Sequence, residues 1–221
     1  VLVEPASYDI VKYHPAIDKV LCFRKKPFIR QAFFYFSLYR TRYDVVIDMH
    51  EGTRGATMCF VTQARFRVGH KFAKRSFLYN VPLEFGDLKP RYPIDYQVAL
   101  IKKMGVNFDK TNPEIYISDN AKEKASGLLK KVGIYNHDSF CIFHPGARIF
   151  DRLESWKFAE LADRIYEKYN IKILFTWAPG QKELVDQIIQ KIKTASYALL
   201  SSNLQELGAI TLRAQFVVCH N

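Results

Sequence analysis

Residues 140–148, FCIFHPGAR, combine residue types that suit phosphate binding. Gly146 follows His144 and Pro145 at the end of an apolar run, and glycine lets a backbone approach a ligand closely. The first N–H groups of a following helix would form an anion site. Arg148 adds a guanidinium, which pairs well with phosphate. These residues predict a phosphate-binding loop between a strand and a helix, although an ordinary turn of that kind fits them equally well.

Residues 176–183, TWAPGQKE, predict a second strand-to-helix junction. Trp177 has a ring that can stack on a nucleotide base. Glu183 can accept hydrogen bonds from ribose hydroxyls, as acidic residues do in dinucleotide sites. A Pro-Gly turn followed by a carboxylate that the helix dipole favours explains the same residues and is the simpler interpretation of this segment alone.

Residues 43–54, YDVVIDMHEGTR, predict polar side chains at the carboxyl end of a buried strand. Asp48, His50, Glu51 and Arg54 are suited to acid/base chemistry, or they cap the helix that follows. The sequence contains no Asp-x-Asp pair of the kind that can hold a divalent metal. A bound diphosphate would therefore be neutralised by arginine, lysine and helix dipoles.

Positive charge is concentrated in the first half of the chain. Residues 1–112 carry 19 Lys+Arg and 10 Asp+Glu, a net +9, and residues 113–221 carry 14 and 12, a net +2. This imbalance indicates an anionic partner: nucleic acid, anionic lipid or a phosphorylated sugar. Residues 28–42 predict an aromatic helix with basic ends, which suits a membrane interface or, equally, a core-packing helix with solvated cationic ends. A second basic stretch lies at residues 65–75.

The composition is that of a globular chain of 221 residues, 48% of them apolar. The four cysteines are widely separated, so we expect reduced thiols and neither a disulfide framework nor a zinc site. There is no apolar run of about 18 residues and no signal peptide, which predicts a protein of the cytoplasm. The chain begins with Val1 in an apolar run, so we expect the natural protein to start further upstream.

Strands and helices are predicted to alternate along the chain, which favours parallel sheets with right-handed crossovers. We expect an α/β fold of two Rossmann-like domains, residues 1–112 and 113–221, joined by a turn-rich stretch at 107–113. Ligands of such sheets bind at the carboxyl ends of the strands. The predicted strands are 1–3, 20–23, 45–49, 66–69, 140–144, 172–176 and 216–219, and the predicted helices are 28–42, 53–62, 92–104, 121–132, 153–169, 182–192 and 204–213.

Taken in order, these segments resemble glycosyltransferase family 9, the ADP-heptose:lipopolysaccharide heptosyltransferases. The resemblance covers most of the chain from about Tyr43 onward, and the ordered set is more specific than any one segment. The segments are YDVVIDMHEGTR, FRVGH, DYQVALIKKMGV, FCIFHPGAR followed by ESWKFAELADRI, LFTWAPGQKEL and SNLQELGAITLRAQFVVCHN.

The resemblance implies a GT-B fold and inverting transfer of heptose from an ADP-activated donor to the inner core of lipopolysaccharide, without a metal. It implies a nucleotide sugar and an anionic lipid-linked saccharide as partners, no nucleic acid, and a peripheral location at the cytoplasmic face of the inner membrane. The expected donor-binding residues are Pro145, Gly146, Ala147, Arg148, Arg152, Trp177, Glu183 and Asn221, and the expected acceptor-binding residues are Arg54 and Glu51.

The sequence departs from the family pattern in two ways. The family's proposed catalytic base is an Asp in a Gly-Asp motif of a first strand–helix unit that would precede Val1, and the loop that begins at Asn221 is cut short. We therefore expect this chain to be inactive alone. The family usually has a lysine before an Arg-Trp pair after HPGAR, whereas this chain has Asp151, Arg152 and Leu153 there. Arg152 or Arg148 would take over the phosphate contact, or the donor differs.

Three alternatives remain open on the sequence. The first is a nucleic-acid-binding protein, which the charge alone supports, since no RNA-recognition signature, helix-turn-helix or zinc spacing is visible. The second is a GT-B enzyme using another nucleotide sugar, or an epimerase with similar Rossmann halves. The third is a catalytically inactive relative.

Overall fold

A computed structural model describes residues 1–24, 27–84, 93–107, 113–147 and 153–220. The chain forms two compact units. One comprises Arg24–Pro113, and the other combines Val1–Phe23 with Glu114–Asn221.

Helices and strands alternate along much of the described chain. In chain order they are β1 (Leu2–Val3), α1 (Pro5–Val11), β2 (Leu21–Cys22), α2 (Phe28–Arg40), β3 (Val45–Ile47), α3 (Thr53–Val61), β4 (Phe66–His70), a 3-10 turn (Ser76–Leu78), β5 (Val81–Leu83), α4 (Pro93–Lys103), α5 (Asp119–Lys131), β6 (Phe140–His144), α6 (Ser155–Tyr169), β7 (Lys172–Phe175), α7 (Lys182–Ile189), β8 (Ser196–Ala198), α8 (Leu204–Arg213) and β9 (Val217–Cys219).

The unit Arg24–Pro113 is built on a parallel sheet with the strand order β3-β4-β5. Ile47 of β3 pairs with Val68 of β4, and His70 at the end of β4 pairs with Leu83 of β5. The strands therefore end together, and the loops that follow them leave from one edge of the sheet. A small buried cluster of Ala56, Cys59, Ala73 and Tyr79 supports this edge.

The second unit contains a four-stranded parallel sheet in the order β8-β7-β6-β9. Apolar side chains of the central strands β6 and β7 alternate between its two faces, as the strand period of two requires. Phe140, Ile142 and Leu174 pack on one face with residues of α5 and α8. Cys141, Phe143, Ile173 and Phe175 pack on the other face with residues of α6 and α7. Burial on both faces explains the uninterrupted apolar runs of these strands.

The first 23 residues pack with the second unit. Strands β1 and β2 pair in parallel with each other, and α1 contacts α8. The buried side chain of Gln205 in α8 makes the connection: its Nε2 donates to the carbonyl oxygens of Asp9 and Tyr116, both at 2.9 Å, and its Oε1 accepts from the Ser118 N–H at 3.0 Å. The division predicted from the sequence, 1–112 and 113–221, differs from this grouping in those 23 residues.

The predicted fold class, α/β with parallel sheets, is confirmed: the strand pairs of the described residues are parallel. Gly105 after α4 and Gly133 after α5 end those helices with left-handed backbone, at φ of 84° and 85°. Four short elements were not predicted, namely α1, the 3-10 turn, β5 and β8. Among the described residues, no helix has both the length and the apolar character needed to cross a bilayer.

Candidate functional site

The carboxyl edge of the four-stranded sheet brings the predicted donor segments together. His144 at the end of β6 pairs in register with Cys219 of β9, and Phe143 pairs with Phe175 of β7. The loops that leave β6, β7 and β9 therefore start side by side. This places residues 145–147 beside Thr176, where ligands of open parallel sheets bind.

His144 and Thr176 join the first two of these loops. Nδ1 of His144 lies 2.9 Å from Oγ1 of Thr176, and either group can donate, according to the imidazole tautomer. Burial lowers the pKa of His144 below its ordinary value, because the charged imidazolium would lose solvation. Because the imidazole is neutral, the contact between His144 and Thr176 positions the start of the candidate phosphate loop and adds no positive charge to it. No separate role was predicted for His144 from the sequence.

Gly146 brings the loop after β6 against the start of α7. A Cβ atom on Gly146 would lie 1.8 Å from Oε1 of Gln181, the residue that precedes α7. The same Oε1 is 3.4 Å from the Ala178 N–H. The side chain of Gln181, the N-cap residue of α7, makes no capping hydrogen bond to that helix. Gly146 therefore lies against the residue that begins α7, and the first N–H groups of a helix are suited to bind an anion.

Pro145 is buried, and Gly146 and Ala147 are half-buried. Trp177 is half-buried and packs against both core clusters of the sheet, so its ring is part of the fold as well as of the edge. Glu183 is exposed in the first turn of α7, as both of its sequence interpretations require. Arg148, Arg152 and Asn221 lie outside the described residues, and their roles stay predictions.

In the other unit, a second polar cluster forms at the carboxyl ends of β3 and β4. Asp48 is buried and accepts two hydrogen bonds, from the Tyr79 hydroxyl at 2.7 Å and from the His50 N–H at 2.9 Å. Gly55 in α3 is required by this arrangement, since a Cβ there would lie 2.3 Å from Oδ2 of Asp48. Asp48 therefore holds the start of the loop that carries Glu51.

Glu51 adopts a left-handed backbone, with φ of 63°, and its Oε1 lies 3.2 Å from Nε2 of His70. His70 is fully buried, and Phe72 stacks on it at 5.0 Å between ring centroids. Burial lowers the pKa of His70, against the opposing effect of the nearby carboxylates of Glu51 and Asp48. Arg54 is half-buried at the start of α3.

His70 was not among the site residues predicted from the sequence, and it lies one residue beyond the predicted strand 66–69. In the structure it is the last residue of β4. The signal was its spacing from Val68, since alternate residues of a strand share a face and both are buried. The N-cap residue of α3 is Gly52, which makes no side-chain capping hydrogen bond, and Asp48 accepts from the Tyr79 hydroxyl and the His50 N–H.

The four cysteines are free, as expected, and two of them are buried. Burial raises the pKa of Cys59 and of Cys141 to about 12, so both stay as thiols. In the part of the chain that the structure describes, no group of three or more His, Cys, Asp or Glu side chains is arranged to hold a metal ion.

Solved structures of similar fold include three heptosyltransferase-related proteins. A glycosyl transferase family 9 structure from Veillonella parvula DSM 2008 matches with a TM-score of 0.85 at 20% identity, over 99% of this chain and 64% of that chain. The ADP-heptose lps heptosyltransferase II of E. coli matches with a TM-score of 0.77 at 15% identity, over 99% and 68%. The E. coli heptosyltransferase WaaC with ADP matches with a TM-score of 0.71 at 20% identity, over 99% and 70%.

These likenesses show the fold, a GT-B type with two incomplete Rossmann-like domains, and the chain spans 64% of the length of the Veillonella protein. A comparison with curated protein sequences gives no significant match. The sequence model of glycosyltransferase family 9 (heptosyltransferase) matches residues 34–221. Because that match covers most of the chain, this protein belongs to glycosyltransferase family 9, the heptosyltransferase family.

Proposed function

We propose that the complete protein is an inverting glycosyltransferase that transfers heptose from an ADP-activated donor to the inner core of lipopolysaccharide. The observation that carries the proposal is the edge where Gly146 meets the start of α7 beside the His144–Thr176 contact. This edge supplies backbone N–H groups and a helix N-terminus to a diphosphate, which is the chemistry of a metal-independent donor site. Membership of the heptosyltransferase family supports the choice of a heptose donor.

In the proposed reaction, an acceptor hydroxyl attacks the anomeric carbon of the donor from the face opposite the diphosphate. A base removes the hydroxyl proton, and by family resemblance this base is an Asp of the Gly-Asp motif in the family's first strand–helix unit. The bond from the anomeric carbon to the diphosphate oxygen breaks, and ADP leaves with the electron pair. The loop of residues 145–148 and the first turn of α7 stabilise the negative charge that develops on the leaving oxygen.

The nucleoside part of the donor would extend along the same edge. Trp177 offers an aromatic face, and Glu183 offers a carboxylate for the ribose hydroxyls at the start of α7. Glu183 is exposed, so a ligand reaches it without rearrangement of the core. Arg148, Arg152 and Asn221 complete the proposed donor site by resemblance.

The acceptor is proposed to meet the basic unit Arg24–Pro113. Arg54 and Glu51 lie at the carboxyl edge of its sheet, in the loop and first helical turn that Asp48 positions. Residues 24–113 carry 17 Lys+Arg and 7 Asp+Glu, a net +10, which suits a phosphorylated saccharide carried on lipid. The complete protein would then work in the cytoplasm, in peripheral contact with the inner face of the membrane.

Release of ADP tests the proposal directly. The complete protein is incubated with ADP-heptose and a lipopolysaccharide acceptor truncated in its inner core, and ADP is measured with and without acceptor. We expect release that depends on the acceptor and a product of inverted anomeric configuration. Turnover of a different nucleotide sugar, with none of ADP-heptose, would contradict the donor assignment and fit the unusual residues 151–153. No turnover of any nucleotide sugar would contradict the enzymatic proposal.

A further inference from the structure

Helix α2 presents an apolar face that the fold leaves uncovered. Ile29, Phe33 and Phe36 are 70%, 69% and 55% exposed, although each is a large hydrophobic residue. Their spacing of four and three residues places them on one side of the helix, where they line a common apolar surface with Ala32. Contiguous exposed patches of this kind mark interaction sites in soluble proteins.

The opposite side of α2 packs against the rest of its unit. Leu38 is buried, Phe34 and Tyr35 are half-buried, and the helix contacts α3. These residues recur at the same helical spacing as the exposed set but about half a turn away. Helix α2 therefore has two apolar sides, and the need for a core explains only one of them.

The charge around the uncovered side is uniformly positive. Residues 24–43 contain six basic residues and no acidic residue, the basic ones being Arg24, Lys25, Lys26, Arg30, Arg40 and Arg42. Arg30 and Arg40 are exposed near the two ends of α2, and the Arg40 guanidinium lies 5.8 Å from the centre of the Phe36 ring. Long basic side chains can keep their apolar stems beside such rings while the charge reaches a polar layer.

We infer that the side of α2 formed by Ile29, Ala32, Phe33 and Phe36, with Arg30 and Arg40 at its ends, is the surface that docks on an anionic phospholipid membrane. Apolar and aromatic side chains would enter the boundary between headgroups and acyl chains, and the arginines would pair with lipid phosphates. A protein partner would need an acidic apolar groove, whereas an anionic bilayer offers both features over its whole surface. This inference rests on the proposed function, because it assigns a surface to the membrane contact proposed there.

The test uses the complete protein and flotation with two kinds of vesicle, phosphatidylcholine alone and an equal mixture of phosphatidylcholine and phosphatidylglycerol. We expect binding to the mixed vesicles that weakens as salt rises, and little binding to phosphatidylcholine. The double variant Phe33→Ser/Phe36→Ser should lose at least about tenfold in affinity for mixed vesicles, since it removes two inserted rings. Arg30→Gln/Arg40→Gln should lose the salt-dependent part of the binding.

Leu212→Ser is the matched control, because Leu212 is also an exposed apolar residue on a helix, in the other unit. It should bind vesicles like the unchanged protein. Circular dichroism checks that the variants fold, and the single variant Ile29→Ser replaces the double variant if that one unfolds. Equal binding to both vesicle types, or unchanged binding of the α2 variants, would overturn the inference. So would a loss of self-association in the α2 variants without loss of lipid binding, which would identify a second copy as the occupant.

Glycosyl transfer to a soluble acceptor fragment, without vesicles, separates this inference from the proposed function. We expect the α2 variants to keep that activity, because α2 belongs to the unit Arg24–Pro113 and the residues proposed for the donor belong to the other unit. Transfer without vesicle binding would reject the docking surface alone, and vesicle binding without any transfer would reject the proposed function alone.

Discussion

The hydroxyl of Tyr79 donates a 2.7 Å hydrogen bond to Oδ2 of Asp48, and both side chains are buried. Burial, followed by the hydrogen bond to Asp48, raises the pKa of Tyr79 well above its ordinary value, so the phenol stays protonated and remains a donor. The carboxylate of Asp48 thereby obtains a fixed partner inside the unit and fixes the His50 N–H with its other oxygen.

Tyr79→Phe should lower the free energy of unfolding by about 1–3 kcal/mol, because the buried carboxylate of Asp48 loses its hydroxyl partner. Urea unfolding followed by circular dichroism measures this change. Tyr169→Phe is the control, since Tyr169 is exposed at the end of α6, and it should change the free energy of unfolding by less than about 0.5 kcal/mol. Equal effects of the two substitutions would contradict the prediction.

Gly55→Ala should destabilise the protein by about 1–3 kcal/mol through overpacking, because the new Cβ would lie 2.3 Å from Oδ2 of Asp48. Gly127→Ala is the control, and it should change the stability in the opposite direction. Gly127 lies within α5 and nothing approaches its Cβ position within 4 Å, so alanine should stabilise the helix by about 0.5–1 kcal/mol. Thermal unfolding measures both, and a higher melting temperature for Gly55→Ala would show that Asp48 is free to move.

His144 should make stability depend on pH in the acid range. The pKa of His144 is lowered by burial, so the unfolded chain binds a proton at higher pH than the folded one. The contribution of neutral His144 to the free energy of unfolding is fully present above the pKa of the unfolded chain, about 6.5. It is lost as the pH falls through the lower pKa that His144 has in the folded protein. His70 acts in the same direction. His144→Gln should therefore show a smaller loss of unfolding free energy between about pH 7.5 and about pH 5 than the unchanged protein.

A direct check is the titration of the His144 ring by NMR in the folded protein. The midpoint should lie below that of the same histidine in the urea-unfolded chain. A midpoint at or above the unfolded one would reverse the sign of the predicted pH dependence.

Glu183→Gln should weaken ADP binding about tenfold or more, since a hydrogen bond to a charged acceptor contributes about 1.5–3 kcal/mol. Asp186→Asn is the control: Asp186 is one turn further along α7 and pairs with Lys182 at 2.7 Å. Calorimetric titration of the complete protein with ADP measures both affinities. If Asp186→Asn weakens ADP binding as much as Glu183→Gln does, the effect comes from the charge of α7 and not from a contact with the ribose.

Long, strongly patterned elements were predictable from the sequence, and short ones were not. Strand β6 and helix α8 have the predicted bounds, because each carries an apolar pattern with clear limits and α8 begins with a capping box at Asn203 and Glu206. Helix α1 has seven residues and none is buried, so it shows no apolar face to detect. Strand β5 has three residues with Pro82 in the middle, which argues against a strand on propensity alone.

In the candidate sites, too, only the features formed by neighbouring residues of the sequence were predictable. The HPGAR loop was visible because its residues are consecutive, whereas Tyr79 meets Asp48 across 31 residues and Gln181 meets Gly146 across two elements. Such contacts depend on strand register, which the sequence of one strand does not contain. His70 was missed for a related reason, since its burial follows from what packs over the end of β4.

The hydrogen bond between Gln205 and Asp9 also affects the order in which parts of the chain fold during synthesis. It joins residues 196 positions apart, and contacts of such separation form late. During translation, residues 24–113 can complete their own sheet soon after they leave the ribosome. Residues 1–23 reach their contact with α8 only after that helix has been synthesised, about 10–40 s after Asp9 at about 5–20 residues per second. Until then α1 lacks α8 as its packing partner.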